Sequence, residues 1–272
     1  MLIAQISDLH IKPEGQLACN AVDTAPFLER CVERLNALDP RPDAVVATGD
    51  LTDGGSPEEY ARLRKLLAAL RVPVYLLPGN HDLRGPLRDA FPDHGYLQGG
   101  GAFLHYAIES YPLRLIALDT LDPGKHSGRL CAERLAWLDA TLSAERNKPT
   151  AIFMHHPPFD SGIGWVDAMG LAGGDAMREI VARNPQVERV LCGHQHRPVT
   201  LRWAGTVASI APGVAHQVAL DLKAGSAASF VMEPSACQLL LWKPPTGLVA
   251  HHLYLAAFPG PYPLRAPLPA SM

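Results

Sequence analysis

The sequence lacks the features that would make charge its means of recognition. Its formal net charge is only −3, so a long nucleic acid is not an expected partner, although a local basic groove would escape that test. Cysteine is scarce and unpaired in pattern. Cys19, Cys31, Cys131, Cys192 and Cys237 are odd in number and contain no C-x-x-C spacing. That argues against a disulfide framework and against a thiolate zinc site, and leaves reduced, buried, structural cysteines as the expectation. No uninterrupted apolar run is long enough to span a bilayer. Met1–Ile6 lacks the basic region of a secretion signal, so a cytoplasmic protein with no membrane partner is expected. There is no G-x-x-x-x-G-K-[ST] and no G-x-S-x-G, which removes a phosphate loop and a serine elbow. Gly99-Gly100-Gly101 has the wrong spacing for a dinucleotide loop and reads as a flexible turn.

Apolar residues and histidine are plentiful. Hydrophobic residues make up 47% of 272, enough for one sizeable core, and there are 12 histidines. Short apolar runs alternate with amphipathic segments. Leu2–Ile6, Ala44–Ala47, Val72–Leu77, Phe103–Ile108, Leu113–Leu118, Ala151–Met154 and Val187–Cys192 read as strands. Thr24–Leu38, Ser56–Leu70 and Cys131–Leu142 read as helices, and Asp175 as the cap of another through Ala182. Ser56-Pro57-Glu58-Glu59 carries a capping box. Beyond about Thr200 strand-like runs dominate, including Val218–Leu222, Ala228–Met232 and Leu248–Leu255. A second sheet packed on the first is expected there, and from Phe258 onward a proline-rich tail. The reading is an α/β protein with one domain over 1–257, a possible exposed hairpin at 223–234, and a tail over 258–272.

Five polar clusters each follow an expected strand: Asp8-Leu9-His10, Gly49-Asp50-Leu51-Thr52-Asp53, Gly79-Asn80-His81-Asp82, His155-His156-Pro157-Pro158 and Gly193-His194-Gln195-His196. Ligands gather where parallel strands end, so one edge of one sheet could unite all five. In extended chain, residues i and i+2 point the same way, which would aim Asp8 with His10 and His194 with His196. Asp50 has two oxygens and can bridge two ions. The donors are all nitrogen or oxygen, which favours Mn, Fe, Zn or Co. Two such ions about 4 Å apart can lower the pKa of a bound water to about 7 and clamp a phosphoryl group for in-line displacement. Taken singly, Asp8, Asp50 and Asn80 could be no more than turn residues. His156 points away from His155 and reads as structural. His94, His105 and His126 read as loop or surface residues, and His251 and His252 as strand residues facing opposite ways.

The ordered set D-x-H, G-D-x-x-D, G-N-H-D, His before Pro-Pro, and G-H-x-H resembles the calcineurin-like metallophosphoesterase superfamily. It is most similar to the bacterial branch of cyclic-nucleotide and glycerophosphodiester phosphodiesterases. The resemblance runs from Met1 to about Ala219, and more weakly to Leu255. It implies a four-layer α/β/β/α sandwich of two mixed sheets flanked by helices. It places Asp8, His10, Asp50 and His196 on one divalent ion and Asp50, Asn80, His155 and His194 on the other. His81 would lie beside the phosphate, with Asp53 and Asp82 orienting ligands. His216 would stand near the substrate, and Gly162–Leu171 could border it. The tyrosine ligand of purple acid phosphatases is absent after Asp50, so their Fe(III) chemistry is not expected. The implied activity is hydrolysis of a glycerophosphodiester or a 3′,5′-cyclic nucleotide by a metal-bound hydroxide. A phosphomonoesterase or phosphonate-ester hydrolase, and a non-catalytic metal-binding scaffold, are the alternatives. Relatives in this branch pair through C-terminal segments, so a homodimer or higher homo-oligomer is expected through 223–234.

Overall fold

The computed structural model describes residues 1–99 and 101–264; Gly100 and the end of the expected tail, 265–272, lie outside it. The chain builds two large mixed sheets. In the first, β1 (Leu2–Ile6), β2 (Ala44–Thr48) and β3 (Val74–Leu77) run parallel, and β14 (Ala236–Lys243) and β15 (Gly247–Tyr254) add on antiparallel beside β1. In the second, β5 (Arg114–Leu118), β7 (Thr150–Met154), β9 (Val187–Cys192) and β11 (Thr206–Ile210) are parallel. The short strand β4 (Tyr106–Ile108) and β10 (Val199–Trp203) close its two edges antiparallel. Two small ribbons pair β6 (Gly128–Arg129) with β8 (Leu171–Ala172) and β12 (Gln217–Val218) with β13 (Phe230–Val231). The central parallel strands are buried along their whole length, as strands covered on both faces must be.

Side-chain alternation divides the core. On β7, Ala151 and Phe153 join Ile3, Val45 and Leu191 in a core that reaches across to the first sheet, whereas Ile152 and Met154 face Leu138, Leu142 and Ile180. Helices α1 (Ala25–Asn36) and α2 (Pro57–Leu67) cover the first sheet through Leu28, Leu35, Tyr60 and Leu63. Helices α4 (Ala132–Ala144) and α6 (Gly174–Ala182) cover the second. The short helices α3 (Arg84–Ala90) and α5 (Gly164–Asp167) sit in connecting loops. The four-layer α/β/β/α arrangement is therefore present. The capping box forms at α2: Ser56 Oγ accepts from the Glu59 amide, and Glu59 accepts from the Ser56 amide.

Several expectations need correction. Apart from the small β12–β13 ribbon, the strand-rich last third does not make a sheet of its own. Strands β10 and β11 extend the second sheet, and β14 and β15 extend the first, because each edge next to β9 and β1 had an open ladder to fill. Asp175 is not a cap: α6 starts at Gly174 after Gly173, whose φ of 89° only glycine adopts freely, and Asp175 sits in the first turn. The strand expected from Phe103 starts at Tyr106. The Leu104 amide donates to Asp119 instead of a neighbouring strand, and Phe103 lies under the guanidinium groups of Arg84 and Arg134. The hairpin expected within 223–234 is anchored earlier, with 217–218 as its first strand and 219–229 as its connection. Cys19 is exposed and Cys131 half-buried; only Cys31, Cys192 and Cys237 are core residues. No helix among the described residues is long and apolar enough to cross a membrane.

Candidate metal centre

All five polar clusters follow strand ends, but they come from two sheets. Strands β1, β2 and β3 deliver Asp8, His10, Asp50 and Asn80 from one, and β7 and β9 deliver His155, His194 and His196 from the other. The ends meet at the seam. The Asp8 amide donates to Gly49 O, the His10 amide to Asp50 O, and the Gly193 amide to His155 O. The His194 amide bridges the sheets to Asp8 Oδ1 at 3.0 Å. Glycine is needed at two close approaches: a Cβ on Gly193 would overlap Ser7 Oγ across the seam, and one on Gly79 would overlap Asp50 Oδ1 in the neighbouring loop of the first sheet.

The backbone that aims these side chains is not extended. Asp8, His10, Asp50, His194 and His196 have φ of 57°, 44°, 47°, 72° and 46°. Five non-glycine residues are thus held in the left-handed region, at about 1–3 kcal/mol each. The i, i+2 alternation of a strand does not explain their convergence; a sharp turn at each strand end does.

The convergence is dense. Asp8, His10, Asp50 and His196 offer ligand atoms that all lie within 4.8 Å of one another. His10 Nε2 is 3.1 Å from His196 Nε2 and 3.6 Å from Asp50 Oδ2. His155 Nε2 is 3.3 Å from Asp50 Oδ2 and 3.1 Å from Asn80 Oδ1, which also meets His194 Nδ1 at 3.0 Å. The outward nitrogens are already committed. His10 Nδ1–H donates to Asp53, His155 Nδ1–H to Thr48 O, and His196 Nδ1–H to His216 O. When these rings give up their second proton, that leaves lone pairs on the inner nitrogens, facing one another and carboxylate or amide oxygens. Asp8 Oδ2 and His194 Nε2 are buried without a hydrogen-bond partner. Such an arrangement is repulsive unless a cation lies between the donors, so the residues fit divalent metal ions.

Electrostatics agree. Burial, then the neighbouring His155, pushes His194 down to about 3, and burial with His10 does the same to His196. Both rings are neutral at pH 7, the state a metal needs. Burial is the largest influence on His155 and opposes its charge, but the Asp50 and Asp8 carboxylates and the Thr48 carbonyl together outweigh it and hold that ring at about 9. Burial raises Asp8. For Asp50 burial is the largest single influence and pushes upward, but His155, through its charge and its hydrogen bond, together with His81 and His10 holds the carboxyl well below its usual range.

The surrounding residues fix the geometry. Asp82 is fully buried and accepts from the amides of Leu51, Thr52 and Gly79 and from the hydroxyls of Thr52 and Tyr60. It thereby ties the loop after β2 to the loop after β3. His81 donates its amide to Asp50 Oδ1 at 2.9 Å and its Nδ1–H to Asp53 O at 2.7 Å, leaving Nε2 unengaged. His156 lies within metal reach of His155 and His194. Its nitrogens are spent, however: Nε2–H donates to His126 O, and Nδ1 accepts from Thr120 Oγ1.

Beside the centre is a cavity of about 370 Å³ lined by His81, His216, Trp165, Met169 and Phe230, among others. His216 and the 162–171 loop, through Trp165, Val166 and Met169, line this cavity. Three residues were missed. His126, read as a surface residue, lines this cavity, 3.4 Å from the Asn80 amide nitrogen. Cys19 was read as buried and lines it too. Phe230, within the 223–234 segment expected to pair with a second copy, packs edge-on against the His216 ring at 5.4 Å. None belongs to a motif, so only the fold could bring them here. His94 pairs with Tyr96, His105 stacks on Trp137, and His251 and His252 lie on β15.

Comparison with known proteins decides the family. The calcineurin-like phosphoesterase profile matches residues 1–198. The chain belongs to the calcineurin-like phosphoesterase family. It is 40% identical to a probable glycerophosphodiester phosphodiesterase of Arcobacter nitrofigilis over 97% of this chain and 96% of that one. It is 36% identical to a probable cyclic nucleotide phosphodiesterase of Rhodopseudomonas palustris over 82% of each. The fold is also that of a dimetal phosphatase from Danio rerio, with a TM-score of 0.64 at 17% identity, covering 94% of this chain and 99% of that one. The calcineurin-like phosphoesterase family thus accounts both for the two sheets and for a polar cluster at their seam.

Proposed function

We propose that the chain hydrolyses small phosphodiesters to a phosphomonoester and an alcohol, with two divalent ions. The observation that carries the preference for diesters is the space around His81. The cavity of about 370 Å³ and a second recess of about 640 Å³ share Cys19, Asp53 and His81. A phosphoryl group against His81 would have room for an ester group on either side, and a monoester would fill one. The names of the relatives support glycerophosphodiesters and 3′,5′-cyclic nucleotides as substrates.

In this reading Asp8, His10, Asp50 and His196 hold one ion, and Asp50, Asn80, His155 and His194 hold the other. Bound there, Mn, Fe, Zn or Co supplies a nucleophile at neutral pH and neutralises charge on the transferred group. The chain does the positioning. Asp53 and the Thr48 and His216 carbonyls fix the tautomers of His10, His155 and His196. The Asp53 carbonyl turns His81 Nε2 toward the cavity, where it can bond the phosphoryl oxygens or hand a proton to the departing alcohol.

The test is turnover of bis(p-nitrophenyl) phosphate against p-nitrophenyl phosphate after reconstitution with each metal, beside Asn80→Ala. Faster diester turnover, reduced about 100-fold in the variant, is expected. Faster monoester turnover would favour a phosphatase, and no turnover despite bound metal would favour a scaffold.

We also infer self-association through the β12–β13 ribbon. Its connection and flank expose Leu220, Leu222 and Met232 at 60%, 64% and 51%, more apolar surface than one loop of a monomer needs to show. A monomer by light scattering at micromolar concentration would remove this part of the reading.

A further inference from the structure

We propose that the site selects phosphodiesters carrying a flat aromatic ester group, seated on a wall made by Trp165, Met169 and Phe230. The inference rests on the phosphodiester reading above, in which the relatives' names point to glycerol esters and cyclic nucleotides and leave an aromatic ester group unaddressed.

The cavity has two unlike sides. One is the floor of histidines and carboxylates. The other is apolar, formed by Trp165 on α5, Met169 just after it, and Val218 and Phe230 of the β12–β13 ribbon. This wall is a built unit. Trp165 and Met169 pack on a small core of Ile163, Val166 and Val218 that is separate from both sheet cores. The Ser229 hydroxyl, also at this wall, donates to Ala227 O.

The wall is also tied to the floor. The Asp167 carboxylate accepts from the Ser161 amide and hydroxyl and from the Gly162 amide, at 2.8–2.9 Å, and so fixes the turn before α5. Gln195 Nε2 donates to the same carboxylate at 3.1 Å, and Gln195 stands between His194 and His196. On the far side, the His216 ring packs 4.6 Å from His196 and edge-on to Phe230. The distance from floor to wall is therefore set from both ends.

Chemistry then chooses the occupant. The hydroxyls of a glycerol ester would leave water to lie against the faces of an indole and a phenyl ring and a thioether, which return little beyond the single indole N–H. An aromatic ring stacks on the same surfaces, a contact whose removal by alanine weakens binding by roughly tenfold.

The experiment uses the metal-loaded full chain with Trp165→Ala, Phe230→Ala and the conservative Trp165→Phe. Calorimetry compares phenyl phosphate with glycerol 3-phosphate, and turnover compares bis(p-nitrophenyl) phosphate with glycerophosphoethanolamine. The native protein should bind phenyl phosphate roughly tenfold more tightly. Either alanine variant should lose that preference and raise KM for the aromatic diester by a similar factor. Glycerophosphoethanolamine should change less than about threefold, and Trp165→Phe should keep most of the preference. Equal affinity for the two monoesters in the native protein, or equal losses on both diesters, would overturn the wall's role. A phenyl preference lost in the alanine variants, in a protein that turns over no diester, would uphold the wall and remove the phosphodiesterase reading instead.

Discussion

The floor and the wall of the cavity are built on opposite principles. The floor is drawn from both sheets, deeply buried, and held by a backbone at five left-handed positions. The wall comes from a four-residue helix and a two-strand ribbon around three buried side chains. Strain can persist only where the surroundings over-determine it, and here both sheets do so. The floor should therefore be intolerant of change in kind as well as in size. The wall should tolerate truncation and alter only what is bound.

The largest effect that would expose this difference is at Asp50, which faces His10 and His155 at once and accepts the His81 amide. Asp50→Asn should lower kcat/KM by more than about 100-fold and reduce bound metal per chain, measured by plasma mass spectrometry. Trp165→Ala should leave the metal content unchanged. Metal lost from both variants would erase the distinction. Next comes Gly193→Ala. Its Cβ would press on Ser7 and Thr48 at the seam between the sheets. A melting point lower by roughly 6–12 °C, for a cost of about 3 kcal/mol, is expected by calorimetry. Met169→Ala, on the wall, should shift it far less. Asp82→Asn should be milder still. It keeps the shape but replaces a carboxylate that gathers five donors, three of them from the turn carrying Asp50. A kcat lower by about tenfold with KM nearly unchanged is expected, because Asp82 touches no substrate. An unchanged kcat would show that the turns hold without it.

The same difference governs what the sequence reveals. The floor is legible because metal chemistry demands particular donors, and each sits one to four residues past an apolar run that already reads as a strand. Asp8, Asp50, Asn80, His155 and His194 could be named without coordinates, although the reason for their convergence could not. Strand alternation suggested an aim that left-handed turns in fact supply. The wall is illegible because Trp165, Met169 and Phe230 are ordinary apolar residues in loops, with no spacing that separates a substrate wall from a core. His126 escapes for another reason: it reaches the site only because its carbonyl accepts from the buried His156, a pairing without local signature. An α/β arrangement with helices on the sheet faces was readable from alternating strands and helices, whereas the four layers were implied by the family resemblance. The placement of β10, β11, β14 and β15 was not, since a hydrophobic strand does not say which open edge it will join.

The smallest effect concerns pH, and it again separates floor from wall. In the metal-free protein, burial holds His156, His194, His196 and His216 below their ordinary 6.5, the last three near 3. Below pH 6.5 the unfolded chain takes up protons that the folded chain refuses, so these groups make stability fall as pH drops from 6.5 toward 3. His155 and His10 have the opposite sign. Neighbouring carboxylates hold both above 6.5, His155 at about 9. The folded chain keeps protons that the unfolded chain releases, and that stability is lost as pH rises from 6.5 through 9. The melting point of the metal-free protein should therefore peak near pH 6.5 and decline by a few degrees on both sides, with the acid limb the steeper. In the proposed reading a divalent ion would take the place of the proton on His155 and His10, and its affinity would grow as competing protons leave. Metal should thus turn the alkaline limb from a decline into a rise, in Met169→Ala as in the native protein. An alkaline limb that falls equally with and without metal would mean that His155 and His10 do not hold the ions.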